Sequence, residues 1–193
     1  MTTPFSHFSD WFAEAKAHPH IKEPTAMTVA SVSAEGNPRA RVVLLKDFDA
    51  HGFVFYTNHT SAKGQELLAH PTAALLFYWM PLTRQVRIEG SISVVSDAEA
   101  DAYFASRARG SQIGAWASLQ SQPLDSKATL MSRVAELEQQ YEGRTIPRPP
   151  HWSGFRLTPH YFEFWSEGEF RLHDREIYTR DTKDNWLVSQ LYP

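Results

Sequence analysis

Residues 72–95, TAALLFYWMPLTRQVRIEGSISVV, read as two strands, Thr72 to Trp79 and Thr83 to Val95, folded back on each other around Met80-Pro81-Leu82. The same signal recurs on both sides. Upstream, Ala26 to Val32 and Arg39 to Leu45 flank the turn-rich AEGNP, and Phe53 to Thr57 follows the turn DFDAHG. Ser61 caps a short helix that leads to Leu67 and Leu68. Before all of these, Phe8, Trp11, Phe12 and Ala15 follow the spacing of an amphipathic helix.

Downstream the pattern changes. Ser96 caps DAEADAYFASR, and Ser126 caps a longer helix whose Leu130, Val134, Leu137 and Tyr141 share one side, stopped by IPRPP at 146–150. Closing strands are expected at Gly154 to Thr158, Tyr161 to Trp165, Arg171 to Thr179 and Trp186 to Leu191. Many antiparallel strands joined by short turns predict a mainly β chain: a barrel with peripheral helices over its openings. No repeat or linker divides it, so residues 1–193 are expected to form one domain.

Composition narrows the function classes. A formal net charge of −3 gives no broadly basic surface for nucleic acid, so any anion site must be a local cluster. With no cysteine there is no disulfide or thiolate nucleophile, which fits a reducing cytoplasm. The first twenty residues lack an apolar signal core, and the longest apolar run, Ala73 to Leu82 apart from Pro81, is too short to span a bilayer. A soluble protein is expected. His18, His20, His51, His59, His70, His151, His160 and His173 show no metal-ligand spacing, the 9 glycines form no phosphate loop, and no GxSxG elbow occurs.

The segment EFWSEGEFRLHDREIY carries the most chemistry. If it is a strand, Arg171, His173 and Arg175 stand in a row on one face, while Leu172 and Asp174 point away. Such a face suits a planar anion, because guanidinium offers a flat fork of donors and stacks on rings. An exposed strand with incidental charge has the same look. Arg41 opens the apolar run RVVLLK, and Lys46 ends it, where a lysine calls for an anionic partner or for water. Lys63 lies just inside the Ser61-capped helix, where backbone donors favour an anion. Tyr103, Arg107 and Ser111 are spaced four apart and would share a face on a continuous helix, although Gly110 opposes continuity. Groups for an aromatic phosphate with no evident nucleophile point to a cofactor that performs the chemistry.

RVVLLK, VFYTN, SxK, RQVRIEG, the YFxSR–SQIGAW stretch, WSGFR and EFW–RLHDR occur together and in order. On these motifs the chain resembles the pyridoxamine 5′-phosphate oxidase family over about residues 25 to 193. The resemblance implies an FMN-binding split β-barrel of Greek-key type, and a homodimer whose two FMN sites take residues from both chains. It implies oxidation of pyridoxine or pyridoxamine 5′-phosphate to pyridoxal 5′-phosphate by dioxygen, with hydrogen peroxide as co-product. The implied FMN residues are Arg41, Val42, Val43, Leu44, Leu45, Lys46, Tyr56, Thr57, Lys63, Gln85, Gln120, Ser121, Trp165 and Arg175. Lys46, Tyr103, Arg107 and Ser111 correspond to the substrate-phosphate site, and Arg171, Leu172 and His173 to the ring site, with Arg171 and His173 nearest the chemistry. The related alternatives are a flavin oxidase of phenazine precursors and a non-catalytic flavin- or pyridoxal-phosphate-binding protein. Three departures stand out: Ala62 where the family places arginine, Ala108 and Gly110 within the usual SRPRDSQ, and a Met1–Phe5 segment expected to be too short for the basic arm of longer members.

Overall fold

The computed structural model describes residues 3–193. Of the five N-terminal residues expected to be too short for an arm, Met1 and Thr2 lie outside the described residues. Thr3 caps the first helix in a reciprocal pair with Ser6, and Pro4 and Phe5 are already inside it. This helix, α1 (Pro4–Ala17), buries Phe8, Phe12 and Ala15, and Phe8 meets Phe53 and Phe77 edge-on at 4.9 and 5.1 Å.

Nine strands among the described residues make one antiparallel sheet: β1 (Ala26–Val32), β2 (Pro38–Leu44), β3 (Asp47–Asp49), β4 (Gly52–Asn58), β5 (Thr72–Trp79), β6 (Arg84–Val94), β7 (Trp152–Ser166), β8 (Asp174–Arg180) and β9 (Trp186–Gln190). The main path runs β2-β1-β5-β6-β7-β4-β3. Strand β7 divides it: its first part pairs with β4, its last part with β8, and its other edge with β6 throughout. The sheet therefore opens at β7, which makes the barrel a split one. Its interior is dominated by aromatic side chains, among them Phe53, Phe55, Phe77, Phe155, Phe162 and Phe164. Helices α3 (Asp97–Ser106), α4 (Arg109–Ala117) and α5 (Lys127–Gln140) form a second cluster around Phe104, Ile113, Ile146 and Trp152, against which Val134, Leu137 and Tyr141 pack. No helix among the described residues is long and apolar enough to cross a membrane.

Four expectations need correction. The DFDAHG turn contains a short strand, β3, paired with β4. The strands expected at 154–158 and 161–165 are one. Between them the pairing with β6 shifts by a residue at Glu89/Gly90, so Pro159, which has no N–H to donate, sits at a bulge instead of ending the strand. A Cβ at Gly90 would fall 2.2 Å from the Thr158 carbonyl oxygen, so only glycine fits there. Tyr103 and Ser111 do not share one helix: α3 stops at Ser106, Arg107 is extended (ψ 148°), and α4 starts at Arg109. The strand expected from Arg171 begins at Asp174.

Candidate functional site

Strand β2 and its continuation, strand β4, helix α2 (Ala62–Ala69) and the α3–α4 break enclose a cavity of about 680 Å³. It collects Val42, Val43, Leu44, Lys46, Tyr56, Thr57, Lys63, Gln120, Tyr103, Arg107 and Ser111 from the expected set. The α3–α4 break brings Arg107 and Ser111 to the same wall that a continuous helix was expected to provide.

Three cations line this cavity, and among the described residues none of Lys46, Lys63 and Arg107 forms an ion pair. The Lys63 ammonium donates only to neutral oxygens: Thr57 Oγ1 at 2.9 Å, Gln120 Oε1 at 2.5 Å and Ser61 Oγ at 3.4 Å. Burial, and after it the charge of Arg41, push Lys63 below its ordinary range, and Glu66 opposes this only in part. Arg107 has its Nη1 buried without a partner, and burial lowers it from the ordinary guanidinium range. Its guanidinium lies 4.6 Å from the Trp152 ring centroid. The rings of Tyr56 and Tyr103 stack at 4.1 Å and 15°, and burial pushes the Tyr56 phenol up to about 12. Unpaired cations, two of them half-buried (Lys63 and Arg107), beside the stacked rings of Tyr56, Tyr103 and Trp152 are an environment for an aromatic anion.

The other expected residues lie elsewhere. Leu45 is in the core. Arg41 is turned to the buried carboxylate of Glu66, with Nη2 at 2.9 Å, and also donates to Ser31 and the Val29 carbonyl. Ser121 adopts a left-handed backbone (φ 71°) beside Gln120, outside the cavity. Gln85, Trp165 and Arg175 stand directly opposite one another on β6, β7 and β8, so these three form one row across the sheet.

The expected row of Arg171, His173 and Arg175 does not form. Glu169–Arg171 is a single 3₁₀ turn, and Phe170 and Arg171 take left-handed backbone angles (φ 55° and 65°). Gly168 packs so tightly that a Cβ there would lie 1.9 Å from the Leu172 carbonyl oxygen. This turn interrupts the alternation, leaves Leu172 exposed and puts Arg171 on a separate recess with Thr83, Glu167 and His173. His173 leans on Trp165, with ring centroids 4.7 Å apart, and its Nδ1 accepts the Gly168 N–H at 3.2 Å. A neutral His173 then carries its proton on Nε2. Arg175 donates from Nε to Glu163 at 2.8 Å and from Nη1 to the Tyr192 carbonyl at 2.9 Å.

Sequence reasoning missed Glu66, Glu163 and Trp152. A signal existed for Glu163, a carboxylate between Phe162 and Phe164 in an apolar strand, which demands a buried cationic partner. It is 2% exposed and also meets Arg87 at 3.1 Å. Glu66 and Trp152 sit in patterns that gave no such signal.

Comparison with known proteins adds the family context. Residues 13–141 match the family model for pyridoxamine 5′-phosphate oxidase, and residues 152–193 match that for the pyridoxine 5′-phosphate oxidase C-terminal dimerisation region. The chain is 60% identical over 190 residues to a pyridoxine/pyridoxamine 5′-phosphate oxidase of Myxococcus xanthus (strain DK1622), covering 98% of this chain and 91% of that protein. Its identity to the protein of that name from Caulobacter vibrioides (strain NA1000 / CB15N) is 58% over 191 residues, covering 98% and 85%. Among solved structures, PhzG from Burkholderia lata 383, in complex with tetrahydrophenazine-1-carboxylic acid, superposes with a TM-score of 0.93 at 34% identity, covering 100% of this chain and 94% of that one. A pyridoxamine 5′-phosphate oxidase-related, FMN-binding protein of Nostoc punctiforme PCC 73102 shares the fold, with a TM-score of 0.77 at 16% identity over the whole of both chains.

Proposed function

The chain belongs to the pyridoxamine 5′-phosphate oxidase family, and on that premise we propose that it oxidises pyridoxine or pyridoxamine 5′-phosphate to pyridoxal 5′-phosphate with FMN and dioxygen. The observation that carries this reading is the cavity with three cations and no carboxylate on any of them. The alcohol plus dioxygen gives the aldehyde and hydrogen peroxide. The amine plus dioxygen and water gives the aldehyde, ammonia and hydrogen peroxide.

The residues present fit FMN and a second phosphate ester together. Lys63, with Thr57 and Gln120, offers a cation whose only partners are neutral oxygens, which suits the FMN phosphate. Arg107, with a buried unpartnered Nη1, forms with Lys46, Tyr103 and Ser111 a separate place for the substrate phosphate. When bound, FMN supplies the hydride acceptor and the means of passing two electrons on to dioxygen. Everything else falls to the chain. Val42, Val43 and Leu44 of strand β2, Lys46 just beyond its end, and Tyr56 would shape the flavin wall, while the Gln85–Trp165–Arg175 row would meet the flavin from another surface.

That row does not line the cavity within one chain. This supports a homodimer in which each copy completes the site of its partner, with Trp165, Arg171, His173 and Arg175 all inside the matched dimerisation region. Arg171, Leu172 and His173 would hold the pyridine ring. With the His173 proton on Nε2, the imidazole is a hydrogen-bond donor towards the ring, so it orients the substrate and does not act as the base. We take residues 1–193 as one FMN-binding domain, and a cytoplasmic setting, which suits a chain without cysteine, is part of the proposal.

The likeness to PhzG supports a second reading, oxidation of a phenazine precursor. The free Arg107, beside Tyr103 and Ser111, favours a phosphate ester instead. The decisive assay adds pyridoxine 5′-phosphate to the FMN-loaded protein in air and follows peroxide. A yellow protein that releases none refutes the oxidase reading, and a protein that takes up no FMN at micromolar concentration refutes the flavin reading as well.

A further inference from the structure

Four other half-buried arginines around the site are neutralised by carboxylates: Arg41 by Glu66, Arg148 by Asp97 and Asp101, Arg156 by Asp49 and Glu99, and Arg175 by Glu163, while Arg133 donates to the Ala117 carbonyl at 3.0 Å. Arg107 has no carboxylate. What faces it is aromatic: the indole of Trp152 at 4.6 Å from the guanidinium carbon, and farther off the Phe104 ring at 5.6 Å. Trp152 is buried, at 6% exposed. Its main chain is clamped on both sides, with Trp152 N–H donating to the Pro149 carbonyl at 3.0 Å and the Trp152 carbonyl accepting from Arg148 at 2.9 Å. Arg148 is anchored in turn on Asp97 and Asp101 of α3. The same indole lies parallel to Tyr56, at 5.2 Å and 8°, and to Tyr103, at 6.1 Å and 6°. One side chain thus sets the place of Arg107 and Tyr103 relative to strand β4.

Resting on the oxidase reading above, we propose that Trp152 is the positioning residue of the substrate-phosphate site: its π face holds Arg107 where other arginines are held by carboxylates, and so delivers the guanidinium charge unneutralised. A ring attracts the cation through its quadrupole without bringing a negative charge that would repel phosphate. A carboxylate in its place would orient Arg107 equally well but cancel its attraction for the ligand. Burial, which already disfavours the Arg107 charge, is then relieved only when an anion arrives.

The test measures equilibrium binding by calorimetry on the FMN-loaded protein with 4-deoxypyridoxine 5′-phosphate and 4-deoxypyridoxine, analogues without the oxidisable group. Trp152→Leu is expected to weaken the phosphorylated analogue by about ten- to thirtyfold. Trp152→Phe is expected to stay within about threefold of the parent, and the unphosphorylated analogue to change little in either variant. A ring-fluorinated tryptophan at position 152 keeps the shape and removes the negative face, so it should behave like Trp152→Leu even if that variant does not fold. Equal weakening of both analogues, a phenylalanine variant as poor as leucine, or a fluorinated ring as good as the natural one would each overturn the proposal. If the phosphorylated analogue binds with this dependence on position 152 but no peroxide is ever released from substrate, the oxidase reading falls and this inference stands. If turnover is normal and position 152 makes no difference, the reverse holds.

Discussion

Glu163→Gln is expected to destabilise the chain by about 1.5–3 kcal/mol near neutral pH, and this loss should disappear in acid. The carboxylate is 2% exposed and receives Arg175 Nε at 2.8 Å, Arg87 Nη1 at 3.1 Å and the Tyr161 hydroxyl at 3.1 Å. Removing one partner of a fully buried pair costs about 3–5 kcal/mol. The two arginines are 25% and 40% exposed, so water screens part of what they lose, and the amide retains one accepting oxygen. The lower figure follows. At about 2–4 °C per kcal/mol for a chain of this size, the melting temperature should fall by about 3–12 °C.

The direction with pH is fixed by what surrounds the carboxyl. Burial alone would raise it, but the Arg175 hydrogen bond and the charges of Arg87 and Arg175 outweigh burial and hold it below the ordinary carboxylate range. Its stabilising contribution is therefore complete above that ordinary range and is lost as pH falls through the lower folded value. Glutamine does not titrate. Urea melts of both proteins at neutral pH and at mildly acidic steps below it should show two curves that converge in acid. Equal stability at neutral pH, or a gap that persists unchanged in acid, would refute the assignment of Glu163 as the charged anchor of Arg175. The same variant should bind FMN more weakly, but less so than Arg175→Ala.

Arg171→Ala and His173→Ala should lower turnover of pyridoxine 5′-phosphate with FMN content nearly intact, whereas Arg175→Ala should weaken FMN; loss of FMN in Arg171→Ala with normal turnover per bound flavin would reverse that division. The chain should sediment as a dimer that FMN tightens, since a ligand held by both copies favours the assembled state, and an FMN-loaded monomer would contradict this. Ala62→Arg places a second cation on the exposed first turn of α2 beside Lys63 and should tighten FMN by about three- to tenfold at low salt, with the gain fading as salt is added. An unchanged titration at low salt would mean that position 62 faces away from the phosphate.

Much of this was legible because the barrel strands are local signals. The pairing of β5 with β6 and of β1 with β2 follows from apolar runs broken by Met80-Pro81-Leu82 and by AEGNP, and the helix caps at Ser61, Ser96 and Ser126 are single-residue signals that the structure keeps. The failures share a cause. Alternation over EFRLHDR presumed extended backbone, but one close approach at Gly168 makes a turn there, and periodicity carries no trace of a contact between Gly168 and Leu172. Pro159 looks like a break in sequence, because the bulge that accommodates it, with His160 as the extra residue opposite Glu89/Gly90, shows only in the pairing with β6. Likewise, Arg41 shows as a cation in sequence, while its neutralisation by Glu66 depends on packing α2 against β1 and β2.

That last difference sorts the cations by task. Arg41 and Arg175 rest on carboxylates that are 7% and 2% exposed, so their charge is largely committed to the frame before a ligand arrives. Lys46, Lys63 and Arg107 have no such partner. At an effective dielectric of about 20, a carboxylate 4 Å from an incoming phosphate charge would oppose it by about 4 kcal/mol, enough to erase a single charge-assisted hydrogen bond. On the proposed reading, its absence at these three positions is what would let the cavity accept a phosphate. The framed arginine of the row, Arg175, lies on another surface of the same chain, beside Trp165 and Gln85, with shape and hydrogen bonds to offer a flavin ring but little free charge. On the dimeric reading the two surfaces meet only when two copies do, so the phosphate is captured by one chain and the ring is gripped by the other. FMN affinity and assembly then rise and fall together.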